Sequence, residues 1–166
     1  MGNSLSYTPY TYRPRHRVLL YGLPGSGKST LVARLTGQHP PLGTTVGVRH
    51  TDVVFGQHKC SVMDIGLCDY ISYKDHGSVV VYMVGEDALD QVSMHFHSIA
   101  SESPLLIVVN KQDLIDRAHS VADVTRALGD IARPYKAIPC VIRDGIGVRA
   151  VRDWVTKYLD NPPEPK

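Results

Sequence analysis

The chain has 166 residues, 43% of them hydrophobic and 20% charged, a length and balance that suit one packed domain and exclude global disorder. Its formal net charge of +2, without a dense basic run, gives no ground for a nucleic-acid partner. No apolar stretch approaches the roughly 20 residues that span a bilayer, no signal-peptide core opens the chain, and Cys60, Cys68 and Cys140 form no CxxC pair; the expectation is a cytoplasmic protein in a reducing compartment.

In chain order, Met1-Gly2-Asn3-Ser4-Leu5-Ser6 meets the pattern M-G-x-x-x-[ST], which makes Gly2 a candidate myristoyl acceptor once the methionine is removed. One myristoyl chain binds a membrane only marginally, on the order of 10⁴ M⁻¹. Arg13, Arg15 and Arg17 would add about 1 kcal/mol each at an anionic surface. Pro9 and Pro14 interrupt any anchoring helix here, so residues 1–16 read as a flexible tail capable of reversible, peripheral membrane contact.

The run Val18-Leu19-Leu20-Tyr21 feeds into Gly22-Leu23-Pro24-Gly25-Ser26-Gly27-Lys28-Ser29-Thr30, and an amphipathic run carrying Leu31, Val32 and Leu35 leaves it. That is strand, glycine loop, helix, and Gly22, Gly27, Lys28 and Ser29 satisfy GxxxxGK[ST]. The glycines allow a tight loop whose N–H groups point inward, and the helix N-terminus adds its dipole, so the segment forms an anion cradle. Pro24 has no N–H, so the donors begin at Gly25 and run through Ser26, Gly27 and Thr30. Lys28 is placed to reach the β- and γ-phosphates of a nucleotide, and Ser29 to ligate Mg²⁺.

Gly37 and Pro40-Pro41 end the helix, and a loop with Gly43-Thr44-Thr45-Val46-Gly47 follows. Val48 to Phe55 and His58 to Asp64 are β-rich runs joined at Gly56-Gln57, a hairpin whose second strand delivers Asp64 to its end. Val79 to Val84 and Leu105 to Val109 are continuous apolar runs of the buried parallel kind, with a helix expected over 88–100 between them. His95 and His97 on that helix stand two residues apart and diverge, which suits packed or solvated histidines rather than a metal pair. Ser120 caps a further helix that carries Val121, Val124 and Leu128 and stops at Gly129. Ala137 to Ile142 reads as the last strand, and Val148, Val151, Trp154, Val155, Tyr158 and Leu159 as the stripe of the last helix. Strands alternating with helices argue a doubly wound α/β sheet with one antiparallel hairpin, spanning residues 17–160, with 161–166 a disordered tail.

Directly after a buried strand, Asn110-Lys111-Gln112-Asp113 looks like the guanine-specifying N-K-x-D of the small GTPases. By that resemblance Asp113 accepts hydrogen bonds from guanine, Asn110 braces the site and Lys111 lays its stem over the base. More narrowly, the chain resembles the ADP-ribosylation factor (Arf) and Arf-like branch over nearly its whole length. The residues that carry the likeness are Met1-Gly2-Asn3, Gly22-Leu23, Thr45-Val46-Gly47, Asp64-Ile65-Gly66, Asn110 to Asp113, and Asp144-Gly145 before a tryptophan-bearing last helix. The resemblance implies a three-layer P-loop NTPase fold, GTP or GDP with Mg²⁺ as ligands, and protein effectors and regulators as partners. It further implies that Thr45 closes on Mg²⁺ and the γ-phosphate and that Asp64 holds the metal through water. Cys140-Val141-Ile142 falls where the family places Cys-Ala-Thr, whose backbone N–H meets the guanine oxygen.

The second switch of that family reads Asp-x-Gly-Gly-Gln, whereas here the stretch is Asp64-Ile65-Gly66-Leu67-Cys68. Leu67 keeps the N–H that would meet the γ-phosphate but lacks glycine's backbone freedom. Cys68 replaces the glutamine that orients the attacking water, and a thiol is a weak donor and poor acceptor. The expectation is a nucleotide-binding switch or recruiting platform with weak or absent hydrolysis. Its alternatives are a non-catalytic interaction module that keeps the fold and, against the guanine motif, an ATP-dependent small-molecule kinase.

Overall fold

The computed structural model describes residues 16–66, 78–99 and 102–162, so the expectations for Gly2, Arg13, Arg15, Leu67, Cys68 and the last residues of the tail lie outside the described residues. Six strands and four α-helices are found among those described, in the order β1 (His16–Gly22), α1 (Lys28–Thr36), β2 (Val48–Phe55), β3 (His58–Ile65), β4 (Val79–Val84), α2 (Leu89–His97), β5 (Leu105–Val109), α3 (Val121–Leu128), β6 (Tyr135–Pro139) and α4 (Val148–Asp160). The strands form one sheet in the order β2-β3-β1-β4-β5-β6. Among the described strands only β2 runs antiparallel to its neighbour, pairing Val48 with Ile65 through Phe55 with His58.

Side-chain alternation along the buried strands builds the three layers. In β1, Val18 and Leu20 join Leu31 and Val32 of α1 and Trp154 and Val155 of α4 on one face of the sheet. Leu19 and Tyr21 point the other way, into a second core with Val92 and Phe96 of α2 and Val124 and Leu128 of α3. β4 and β5 divide the same way, Val81 and Val108 to the first face, Tyr82 and Ile107 to the second. Burial on both faces is why these strands read as unbroken apolar runs.

Local chemistry fixes the element ends. α1 begins after Gly27, at φ 104°, and stops at Gly37, at φ 70°; both values favour glycine. α3 starts where the Ser120 hydroxyl accepts the Asp123 N–H at 3.1 Å. The expected helix over 88–100 is shorter, Leu89–His97. The last strand is displaced from Ala137 to Ile142 to Tyr135–Pro139. Tyr135 and Lys136 are exposed on the sheet edge and so carry no apolar signal. At the other end Val141 turns out of the ladder to bridge Ile146, and Ile142–Asp144 wind into a short 3₁₀ turn.

With β3 and β4 on either side of β1, the sheet reverses its winding at β1. The carboxyl ends of β1, β3, β4 and β5 meet there, where doubly wound sheets hold their ligands.

Candidate functional site

The glycine loop between β1 and α1 is shaped by close approaches that exclude side chains. A Cβ on Gly22 would overlap the Met83 carbonyl, and one on Gly27 would overlap the Asn110 side-chain amide. Gly22, Gly25 and Gly27 all have positive φ, at 144°, 77° and 104°. Lys28 lies back over the loop, its ammonium donating to the carbonyls of Gly22 at 2.8 Å and Leu23 at 3.0 Å. Burial pushes the Lys28 pKa down, opposed by the charges of Asp64 and Asp87. A largely desolvated ammonium of this kind gains strongly from an anion brought beside it. In front of the loop opens a cavity of about 220 Å³, lined by Gly25, Lys28, Thr30, Pro41, Thr45 and Gly66 among others.

Three oxygen-bearing side chains from separate elements converge here, Ser29 and Thr45 lining the cavity and Asp64 bonded to both. Ser29, in the first turn of α1, donates to Asp64 Oδ2 at 2.6 Å and lies 3.0 Å from the Thr45 hydroxyl. Thr45, from the loop before β2, also donates to Asp64 Oδ2, at 3.4 Å. Asp64 Oδ1 is buried and has no hydrogen-bond partner among the described residues. One carboxylate with two hydroxyls is a hard-oxygen set, and the unpartnered buried oxygen leaves it short of positive charge; the residues fit Mg²⁺, which takes few protein ligands and completes its shell with phosphate and water. Gly66, just past Asp64, lies so close to Thr45 that a Cβ there would overlap the Thr45 carbonyl, and its N–H donates to Gly47 O at 2.8 Å.

The end expected from the sequence to read the base is assembled from three loops. Asn110 is buried and joins two of them: its amide donates to Ser26 O and its Oδ1 accepts the Ile142 N–H, both at 2.9 Å. Lys111 is the one non-glycine of positive φ among the described residues, at 63°, and its ammonium meets Glu86 Oε1 at 3.0 Å. Arg117 pairs with the same carboxylate at 3.1 Å. His119 donates to the Asp87 carbonyl at 2.6 Å, tying the loop after β5 to that after β4. Asp113 meets Arg143 at 3.1 Å, and Arg143 also holds Asp144.

Val141 and Cys140 sit beside this end. The Val141 N–H donates to Ile146 O at 3.1 Å, so a guanine oxygen would have to take that proton in exchange. Cys140 is buried under Gly147, whose missing Cβ leaves room for the sulfur, and burial pushes its thiol up to about 11.

The structure therefore gathers Gly25, Ser26, Gly27, Lys28, Ser29, Thr30, Thr45 and Asp64 at one end, and Asn110, Lys111, Asp113, Cys140 and Val141 at the other. Glu86, Arg117, His119 and Arg143 were not singled out by the sequence. Each is a lone polar residue in a loop, and its partner is distant in sequence or carries no motif.

The model of the ADP-ribosylation factor family matches residues 6–159. The chain is similar to ADP-ribosylation factor-like protein 2 of Arabidopsis thaliana, at 26% identity over 161 residues and 86% of each chain. It is also similar to ADP-ribosylation factor-like protein 1 of Drosophila melanogaster, at 27% identity, covering 97% of this chain and 99% of that one. Among solved structures, the Arl6 BBS3 small GTPase of Trypanosoma brucei with bound GppNp, a nucleotide analogue, matches with a TM-score of 0.72 at 22% identity, over 87% of this chain and 97% of that one. The mammalian SRP receptor matches with a TM-score of 0.68 at 20% identity, over 85% and 98%. At such identities the structural likeness concerns the fold.

Proposed function

The chain belongs to the ADP-ribosylation factor family, whose fold implies guanine-nucleotide binding, and on that premise we propose that it is an Mg²⁺-dependent switch that recruits protein partners while hydrolysing GTP very slowly or not at all. The observation that carries this reading is the meeting of Ser29, Thr45 and Asp64 beside Lys28, with a buried carboxylate oxygen left unpartnered among the described residues.

In this reading the loop N–H groups and Lys28 hold the phosphates, and Lys28 exchanges its bonds to the Gly22 and Leu23 carbonyls for phosphate oxygens. A bound Mg²⁺ would neutralise phosphate charge, held by the Ser29 and Thr45 hydroxyls with Asp64 beside them. Asp113 accepts from the guanine N1–H and exocyclic amine, which adenine does not offer together, and Lys111 covers the base. Thr45 can signal the state of the nucleotide because its loop is packed against Gly66, so a pull on its hydroxyl reaches the segment that follows Asp64. Slow hydrolysis follows from Cys68: unassisted rates in related GTPases are on the order of 10⁻⁴ per second, and a further tenfold loss is about 1.4 kcal/mol. An acyl group on Gly2 would add reversible membrane contact.

A second reading, a non-catalytic interaction module that no longer cycles nucleotide, is favoured by Leu67 and Cys68 and by the Val141 N–H already engaged with Ile146. Denaturing freshly purified protein and identifying the released nucleotide by chromatography separates the two. Copurifying GTP or GDP is expected, with GTP in excess of what a cycling GTPase retains. A folded chain that is empty and binds no added GTP with Mg²⁺ would establish the second reading instead.

A further inference from the structure

We propose that Arg143 is a positioning residue for guanine recognition, holding the Asp113 carboxylate in the orientation that reads the base. The inference rests on the guanine-binding reading above and adds a residue to it.

Arg143 lies in the 3₁₀ turn after β6, and its guanidinium spans two carboxylates, Asp113 at 3.1 Å and Asp144 at 3.0 Å. Its own position is fixed from three sides. Its carbonyl accepts from the Arg34 guanidinium of α1, the helix that begins at the phosphate loop. The neighbouring Ile142 N–H is held by Asn110, and the turn is closed by the mutual hydrogen bonds of Val141 and Ile146. The cation that touches Asp113 is thus attached, through α1 and Asn110, to the elements that build the phosphate end. An ionised carboxylate offers about four lone-pair sites, and guanine uses two, one on each oxygen. Arg143 takes one on Oδ2, so its bond and those to the base are compatible. Even with Arg143 in place the Asp113 side chain is 28% exposed, so without that partner the carboxylate is free to turn its oxygens toward water.

The two-point requirement supplies the test. Inosine lacks the exocyclic amine, so an inosine nucleotide engages one carboxylate oxygen where guanine engages both. Affinities for GDP and inosine diphosphate, with Mg²⁺, are measured on the full chain for the wild type, Arg143→Ala, Arg143→Lys and Asp144→Asn, with thermal unfolding to verify the fold of each. Arg143→Ala is expected to weaken GDP by about two- to fivefold, the range open to an exposed ion pair, and inosine diphosphate by less, so that the preference between them shrinks. Arg143→Lys should restore part of that preference. Asp144→Asn, which removes the second anchor of Arg143 and leaves Asp113 untouched, should move it in the same direction by a smaller factor. An unchanged preference, with both nucleotides equally affected or neither, would overturn the proposal, as would tighter GDP binding in Arg143→Ala, the mark of a competitor for Asp113. A folded wild type that binds neither nucleotide would instead bring down the guanine-binding reading itself, and this one with it.

Discussion

The two ends of the nucleotide site are built on opposite physical plans. At the phosphate end a single continuous segment, β1 to α1, supplies backbone geometry and a buried lysine, and Ser29 and Thr45 both hydrogen-bond Asp64 beside it, Ser29 the more closely. At the base end the working groups sit on loop tips and are held by partly exposed ion pairs, Lys111 with Glu86 and Asp113 with Arg143. Low-dielectric surroundings make each charge at the first end worth more, whereas solvent screens those at the second. On the proposed function, affinity belongs to the phosphate end and discrimination to the base end.

The strongest attempt to break that division is Lys28→Ala. Removing the charge that faces the phosphates should lower GDP and GTP affinity by at least about 100-fold, seen by fluorescence titration with labelled nucleotide. Unchanged affinity would take the glycine loop out of the account. Asn110→Ala attacks the joint between the two ends. It strips the partner from the Ser26 carbonyl and the Ile142 N–H, and should cost about 2 kcal/mol of stability in a denaturant titration, with weaker binding of every nucleotide alike. A variant as stable as the wild type would mean that the ends are held together elsewhere.

Asp113→Asn sharpens the contrast. It should leave the phosphate grip intact and reduce the preference for GDP over ADP by about tenfold, read by competition binding. A loss of affinity for both nucleotides in equal measure would place Asp113 in the architecture rather than in base reading. The smallest effect is expected from Arg117→Ala. Its guanidinium is mostly exposed and shares Glu86 with Lys111, so nucleotide affinity should change by no more than about twofold.

How much of this was readable in advance depends on what kind of signal each part leaves. The buried strands announced themselves because both faces are apolar, and the glycine loop because Gly22, Gly27, Lys28 and Ser29 are adjacent in sequence. Ser29 followed from the glycine-loop motif and Asp64 from its place at the end of a strand, whereas Thr45 joined them only through the family likeness, since nothing local couples residues that far apart. The edge strand Tyr135–Pro139 was shifted because an edge residue such as Lys136 faces water and breaks the apolar run. Arg143 on Asp113 and Glu86 under Lys111 left no trace, because an ion pair between loops has no periodicity. The left-handed backbone of Lys111 was equally silent; such a conformation in a non-glycine residue is imposed by its surroundings, not by its own preference.

The absent side chain of Gly147 over the Cys140 sulfur turns the base loop into something that can be timed. With its thiol pushed up to about 11, Cys140 is almost wholly protonated near neutral pH and shut from solvent, so an alkylating reagent must wait for the loop to lift. Peptide-resolved labelling of that one sulfur would serve as a clock for the breathing of the segment that carries Val141 and Arg143. A bound nucleotide would be registered as a slowing of the clock, without any label on the ligand.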